Sequence, residues 1–186
     1  MQIRNLKLLN FRNYESLNLD FYHGKNIIYG KNGMGKTNLV EAIYVLSLTK
    51  SFRGSSDKVL IKSNEDVLKI VGIINDNIDN TYQIVINKQG KKVKINNNLC
   101  KKISEYISKI NVILFNPDDL KFIKESPGVR RNYLNIDMSS FDNDYLIYLS
   151  NYNKVLKQRN SYLKTMYVNA NSSSEYLDIL TDKLIN

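Results

Sequence analysis

Apolar and polar residues alternate along the first two-thirds of the chain and recur at helical spacing along the last third. Ile3, Leu6, Leu8 and Leu9 stand among polar neighbours over residues 2–10, which predicts a strand. Leu17, Leu19 and Phe21 alternate with Asn18 and Asp20 and predict a second, half-buried strand. The polar-aromatic stretch Asn10-Phe11-Arg12-Asn13-Tyr14 joins the two. Asn26-Ile27-Ile28-Tyr29 reads as a short buried strand. From Lys36 to about Leu48, the apolar positions Leu39, Val40, Ala42, Ile43, Val45 and Leu46 cover most of a helix's circumference. Thr49 to Ser56 is polar and turn-like, with Lys50 and Arg53 read either as solvated charges or as phosphate or DNA contacts.

The strand pattern returns over residues 68–75, 81–87 and 91–95, with 76–80 and 88–90 as hairpin breaks. Asn111-Val112-Ile113-Leu114-Phe115 is a short apolar run of the kind expected of a central strand. The acids after it invite a Walker B reading, but Asn116 and Pro117 intervene before Asp118 and Asp119. Those four residues suit a helix start better: a cap, a proline in the first turn, and acids at the positive end of the dipole. Ser126-Pro127 predicts another start, with Arg130 and Arg131 in its first turns. Cations are disfavoured there, which points to an anionic partner or to a carboxylate elsewhere in the fold.

A long helix is predicted from 142 to about 167. Tyr145, Tyr148, Tyr152, Val155, Tyr162 and Met166 form a stripe beside Leu149, Leu156 and Leu163, read as packing surface. After a loop at 169–174, Tyr176, Leu177, Leu180 and Leu184 begin a further amphipathic helix that the chain end cuts without a cap. No strand is expected after residue 126. The pattern therefore divides the chain into an α/β lobe over 1–125 and the beginning of an α-helical lobe over 126–186.

One stretch gives the α/β lobe its chemistry. Gly30-Lys31-Asn32-Gly33-Met34-Gly35-Lys36-Thr37 fits the phosphate-binding loop G-x-x-x-x-G-K-[ST] at every specified position. Its expected context, a strand before it and a helix after it, is the one the chemistry requires. Backbone N–H groups of such a loop form a concave anion site, and the helix N-terminus adds its positive end. Lys36 is expected to reach the β- and γ-phosphates of a nucleotide, and the Thr37 hydroxyl to ligate Mg2+. The two strands placed ahead of the loop argue against a simple small-molecule kinase, which usually starts directly with its phosphate-loop strand.

Bulk properties narrow the setting. No apolar run approaches the roughly 20 residues of a membrane span, and the N-terminus lacks signal-peptide architecture, so a soluble, cytoplasmic protein is expected. Cys100 is the only cysteine, so no disulfide forms within the chain, and a reducing compartment is expected. With His23 as the sole histidine, read as a turn residue beside Gly24, a histidine cluster for a metal is excluded. The net charge of +9 favours a polyanionic partner, although the Lys- and Asn-rich composition also fits an AT-rich genome. Lys88, Lys91, Lys92, Lys94, Lys101 and Lys102 crowd the last hairpin and its exit. They read equally as edge protection and as a track for a nucleic-acid backbone.

Several segments together resemble one family. They are Leu9-Asn10-Phe11-Arg12-Asn13-Tyr14, the loop continued through Asn38-Leu39-Val40-Glu41-Ala42-Ile43-Tyr44, and Lys50-Ser51-Phe52-Arg53. Phe115-Asn116-Pro117-Asp118-Asp119-Leu120, Ser126-Pro127 with Arg130-Arg131, and Leu156-Lys157-Gln158-Arg159-Asn160 complete the set. The chain resembles the N-terminal half of the RecF family of bacterial recombination mediators, relatives of SMC- and ABC-type ATPases. The resemblance implies a P-loop NTPase head of ABC type: a mixed sheet with antiparallel hairpins and a phosphate-loop helix, followed by the start of a helical lobe. It further implies a slow DNA-dependent ATPase that binds ATP and Mg2+ and dimerises around nucleotide. Such a protein engages single-stranded or gapped DNA and works with recombination mediator proteins to load recombinase in gap repair and the SOS response. Walker B, the signature motif and the closing strands belong to the family's second half, so this chain is expected to bind ATP and hydrolyse little. One departure is Asn135, where the family usually carries Asp. The alternative is a stand-alone P-loop phosphotransferase acting on a small metabolite, which would need its own metal-binding acid and an acceptor lid.

Overall fold

The computed structural model describes residues 1–116, 126–168 and 174–185. Strand β1 (Gln2–Phe11) turns at Arg12 and Asn13 into β2 (Tyr14–Asp20). Helix α1 (Lys36–Leu48) and the single turn α2 (Asp57–Leu60) follow. Next come β3 (Val67–Asp76), β4 (Ile78–Asn87), β5 (Gly90–Ile95) and the short β6 (Asn98–Leu99). The last third is helical: α3 (Pro127–Phe141), α4 (Asn143–Val168) and α5 (Ser174–Ile185).

Among the described residues the strands form one six-stranded sheet in the order β2-β1-β3-β4-β5-β6, with every pairing antiparallel. Alternation sends one set of side chains to each face. Leu8, Ile70, Ile84 and Val93 stand opposite one another across four strands, and all are buried. Helix α1 lies on this face with Leu39, Ala42, Val45 and Leu46 inward. The close approach is possible because β3 carries Gly72, where an added Cβ would lie 2.2 Å from Leu46 Cδ2. Beyond the sheet, Tyr106 Oη donates to the Leu46 carbonyl at 2.7 Å and Ser47 Oγ to that of Ile110 at 2.5 Å. These bonds clamp the far end of α1 to the segment that follows β6.

The helix over 36–48, the first two strands and the three later strands form where the patterning placed them. The hairpin break at 76–80 shrinks to Asn77 in a left-handed conformation, because Asp76 and Ile78 still pair. Two expected strands are absent. Residues 26–29 and 111–115 belong to no sheet, and Ile27, Tyr29, Ile113 and Phe115 are 84–90% exposed. An apolar run becomes a strand only when a neighbouring strand satisfies its backbone groups. Among the described residues no strand pairs with either stretch.

The helix start read at Asn116 to Asp119 falls largely on residues outside those described. The start at Ser126-Pro127 is present, as is the long helix. Its aromatic stripe is only partly packed. Tyr162 meets Tyr176 of α5 edge-on at 4.9 Å, and Tyr145 Oη donates to Asn135 Oδ1 at 2.7 Å, whereas Tyr148 is 72% exposed. Among the described residues, no helix is long and apolar enough to cross a membrane.

Candidate nucleotide-binding site

Loop 30–37 runs from an exposed stretch into the first turn of α1. Gly30, Lys31, Asn32, Gly33 and Met34 are exposed, Gly35 is the N-cap, and Lys36 and Thr37 open the helix. Gly33 and Gly35 have φ of 85° and 98°, in the left-handed region that favours glycine. Gly35 is constrained by neighbours as well. A Cβ there would meet Asn13 Nδ2 at 2.7 Å and Tyr14 Oη at 3.0 Å. The first turn of α1 carries no side-chain cap and no acid, so its N–H groups face outward toward any anion that docks. Lys36 Nζ donates to the carbonyls of Gly30 at 2.7 Å and Lys31 at 2.8 Å, which ties the ammonium inside the turn. Uncapped N–H groups, left-handed glycines and an ammonium within one turn fit a polyphosphate.

The β1–β2 turn holds the loop from behind. Tyr14 Oη donates to the Gly35 carbonyl at 3.2 Å, and Asn38 Nδ2 donates to Asn13 Oδ1 at 2.8 Å. Burial pushes the Tyr14 phenol up from its ordinary value, which keeps it a neutral donor. The turn is itself anchored by Glu41, a fully buried acid on α1. Arg12 Nε and Nη2 reach the two Glu41 oxygens at 3.0 and 2.7 Å. Ser51 Oγ donates to the same carboxylate at 2.5 Å, and Arg53 Nη1 lies 3.6 Å from it. Arg12 also donates to Ser55 Oγ at 2.8 Å and to the Val59 carbonyl at 3.0 Å, and Arg53 to Asn38 Oδ1 at 3.2 Å. One buried carboxylate thus fixes two arginines from segments 41 residues apart in sequence (12 and 53). A cleft of about 680 Å³ opens beside them, lined in part by Arg12, Asn13, Asn38 and Arg53.

Patterning alone missed this network. Its one signal is Glu41, an acid placed in a helix that is otherwise apolar on most sides. Arg53, read as solvated or as a phosphate or DNA contact, donates from Nη1 to Asn38, lies near Glu41, sits over the Phe52 ring at 5.7 Å and keeps 36% of its side chain exposed. Two of the crowded lysines prove to be paired. Lys91, with a side chain 9% exposed, donates to the Thr49 carbonyl and meets Asp57 at 3.0 Å, while Lys88 meets Asp66 at 2.7 Å. The acids that neutralise them come from other elements and are invisible in the local run of lysines.

Comparison with known proteins places the fold of this chain among ATPase heads. Residues 5–185 match the AAA domain family. The chain is 46% identical over its full length to the DNA replication and repair protein RecF of Bacillus velezensis, covering 50% of that protein. A solved structure of the recombination mediator protein RecF in the RecFOR pathway, with ATPrS, superposes with a TM-score of 0.94 at 35% identity. That match covers 98% of this chain and 50% of the other. A structure from work on ATP-driven dimerization and DNA stimulated activation of SMC ATPases superposes with a TM-score of 0.54 at 25% identity, over 72% of this chain and 98% of the other. The chain spans about half the length of the curated relatives it matches.

Proposed function

The chain belongs to the AAA domain family and is similar over its whole length to the N-terminal half of RecF proteins, and we propose that it is the nucleotide-binding portion of a RecF-type ATPase in DNA repair. The observation that carries this reading is the loop 30–37, uncapped at the start of α1 and held from behind by Asn13, Tyr14 and the Arg12–Glu41 pair. In this reading the loop's N–H groups and the start of α1 bind the phosphates of ATP, Lys36 carries the neutralising charge, and Thr37 is the protein's ligand to Mg2+. Bound Mg2+ supplies charge neutralisation at the phosphate oxygens. The lobes divide at about residue 125. Its partners are single-stranded or gapped DNA, recombination mediator proteins and a second copy of the protein across the nucleotide.

Hydrolysis needs preorganised groups aimed at the charge that develops in the transition state. Lys36 and Thr37 are two such groups. Asp118 and Asp119, separated from the preceding apolar run by Asn116 and Pro117, are not read as a third. The chain is therefore a binding element with little turnover of its own. A phosphate-release assay with ATP and Mg2+ tests this. The expected result is negligible steady turnover in both the unsubstituted chain and Lys36→Ala. Steady turnover that Lys36→Ala abolishes would contradict it.

A further inference from the structure

The face of the sheet turned away from α1 carries a second pattern. Side chains alternate, so the residues between the buried Leu6, Leu8, Leu68, Ile70, Ile84 and Val93 point to the other side. The strand register sets them in two rows. One row runs Ser16, Leu9, Lys69, Val85, Lys92 across β2, β1, β3, β4 and β5. The adjacent row runs Asn18, Lys7, Val71, Gln83, Lys94 across the same strands. Neither row contains an acid or an aromatic residue.

Lysines brought together this way come from three strands up to 87 positions apart (7 and 94), so no local reading of the sequence assembles them. Lys7, Lys69 and Lys92 are exposed and Lys94 is half-buried. Among the described residues none of the four has a carboxylate within ion-pair distance, whereas Lys62, Lys88 and Lys91 each do. Asp20, on the same face one row further, accepts from Asn5 at 2.7 Å. Strand spacing puts Lys69 and Lys92 about 10 Å apart, Lys7 and Lys94 about 14 Å apart, and the two rows about 7 Å apart.

We propose that this lysine face of the sheet binds the phosphate backbone of duplex DNA. The proposal rests on the reading of DNA as a partner and names where and in which form DNA docks. Charge complementarity selects the occupant. A duplex carries about one charge per 1.7 Å of axis, so a patch about 14 Å long faces more phosphates than it has cations. Single strands are held by stacking bases on aromatic side chains as well as by cations, and these two rows offer no ring. The face therefore takes the duplex arm of a gapped substrate and reads no sequence.

The test is the salt dependence of binding, by fluorescence anisotropy of the full chain with a duplex and with one of its strands. Combining Lys7→Gln, Lys69→Gln, Lys92→Gln and Lys94→Gln is expected to flatten the duplex slope of log K against log salt by about 3–4, near 0.9 for each phosphate that a lysine no longer neutralises. The loss for duplex should be at least as large as for the single strand. Should the combined variant fold poorly by circular dichroism, Lys7→Gln and Lys92→Gln taken singly are each expected to flatten it by about 0.9. An unchanged duplex slope, a loss confined to the single strand, or an equal loss from Lys62→Gln with Lys88→Gln overturns the face while DNA binding stands. No salt-sensitive binding of the unsubstituted chain to either DNA overturns the DNA-binding reading itself, and the face with it.

Discussion

Arg12 and Glu41 form a two-point bridge, at 3.0 and 2.7 Å, between the turn that backs the phosphate loop and the middle of the helix the loop opens. Glu41 is fully buried and Arg12 only 14% exposed, so neither charge is solvated when the other is removed. Breaking such a pair from one side costs about 3–5 kcal/mol, because it leaves an uncompensated charge in a poorly hydrated site. Glu41→Ala is expected to destabilise by that order in urea unfolding. Replacing both residues, Arg12→Met with Glu41→Leu, should recover part of the loss, and a double-mutant cycle measures the coupling.

Gly35 and Gly33 separate conformational strain from steric fit. Gly33 has open space around a would-be Cβ, so Gly33→Ala meets only the left-handed backbone penalty of about 1–2 kcal/mol. Gly35→Ala adds contacts of 2.7–3.0 Å with Asn13 and Tyr14. Thermal unfolding should rank Gly35→Ala below Gly33→Ala, and Gly35→Ala should also weaken nucleotide binding by moving the turn behind the loop.

Gly72 governs how closely α1 sits on the sheet. Gly72→Ala places a Cβ 2.2 Å from Leu46 Cδ2 and should destabilise by about 1–3 kcal/mol through overpacking. Leu46→Val in the same chain should restore part of it, whereas Leu46→Val alone should destabilise. Chemical denaturation of the four proteins decides this.

Stability should fall in alkali. Burial pushes the phenols of Tyr106, Tyr82 and Tyr14 above their ordinary value near 10, and Tyr106 by the most. In the unfolded chain these groups ionise from about pH 10, while in the folded chain their ionisation is displaced to higher pH. The stabilising difference is fully present below pH 10 and is lost as pH rises above it, by up to about 1.4 kcal/mol per pH unit for Tyr106, the most strongly shifted of the three. Tyr106→Phe removes the 2.7 Å bond to the Leu46 carbonyl and should cost about 1 kcal/mol at neutral pH. It should also flatten the alkaline decline, as urea unfolding between pH 8 and about 11 would record.

Local pattern carries far where a structural cause is local. Helix α1 is legible because its apolar positions and its glycine-lysine opening are contiguous, and the β3–β4–β5 hairpins because alternation and turn residues are too. Residues 26–29 and 111–115 depart from their pattern for a definite reason. An apolar run records a tendency to be buried, not the presence of a partner strand among the described residues. Single-turn α2 and two-residue β6 are too short to show a period. The Arg12–Glu41–Arg53 network and the lysine face arise from tertiary register, which no single segment encodes. Glu41 alone leaves a trace, as the acid within an apolar helix.

That loop 30–37 is a nucleotide site within this chain is tested most directly by isothermal titration of ATP with Mg2+ into the chain and into Lys36→Ala. Saturable binding to the unsubstituted chain is expected, with a loss of at least about tenfold in Lys36→Ala, the weight of roughly one charge-assisted hydrogen bond. Equal affinity in the two proteins, or no heat of binding in either, would contradict it.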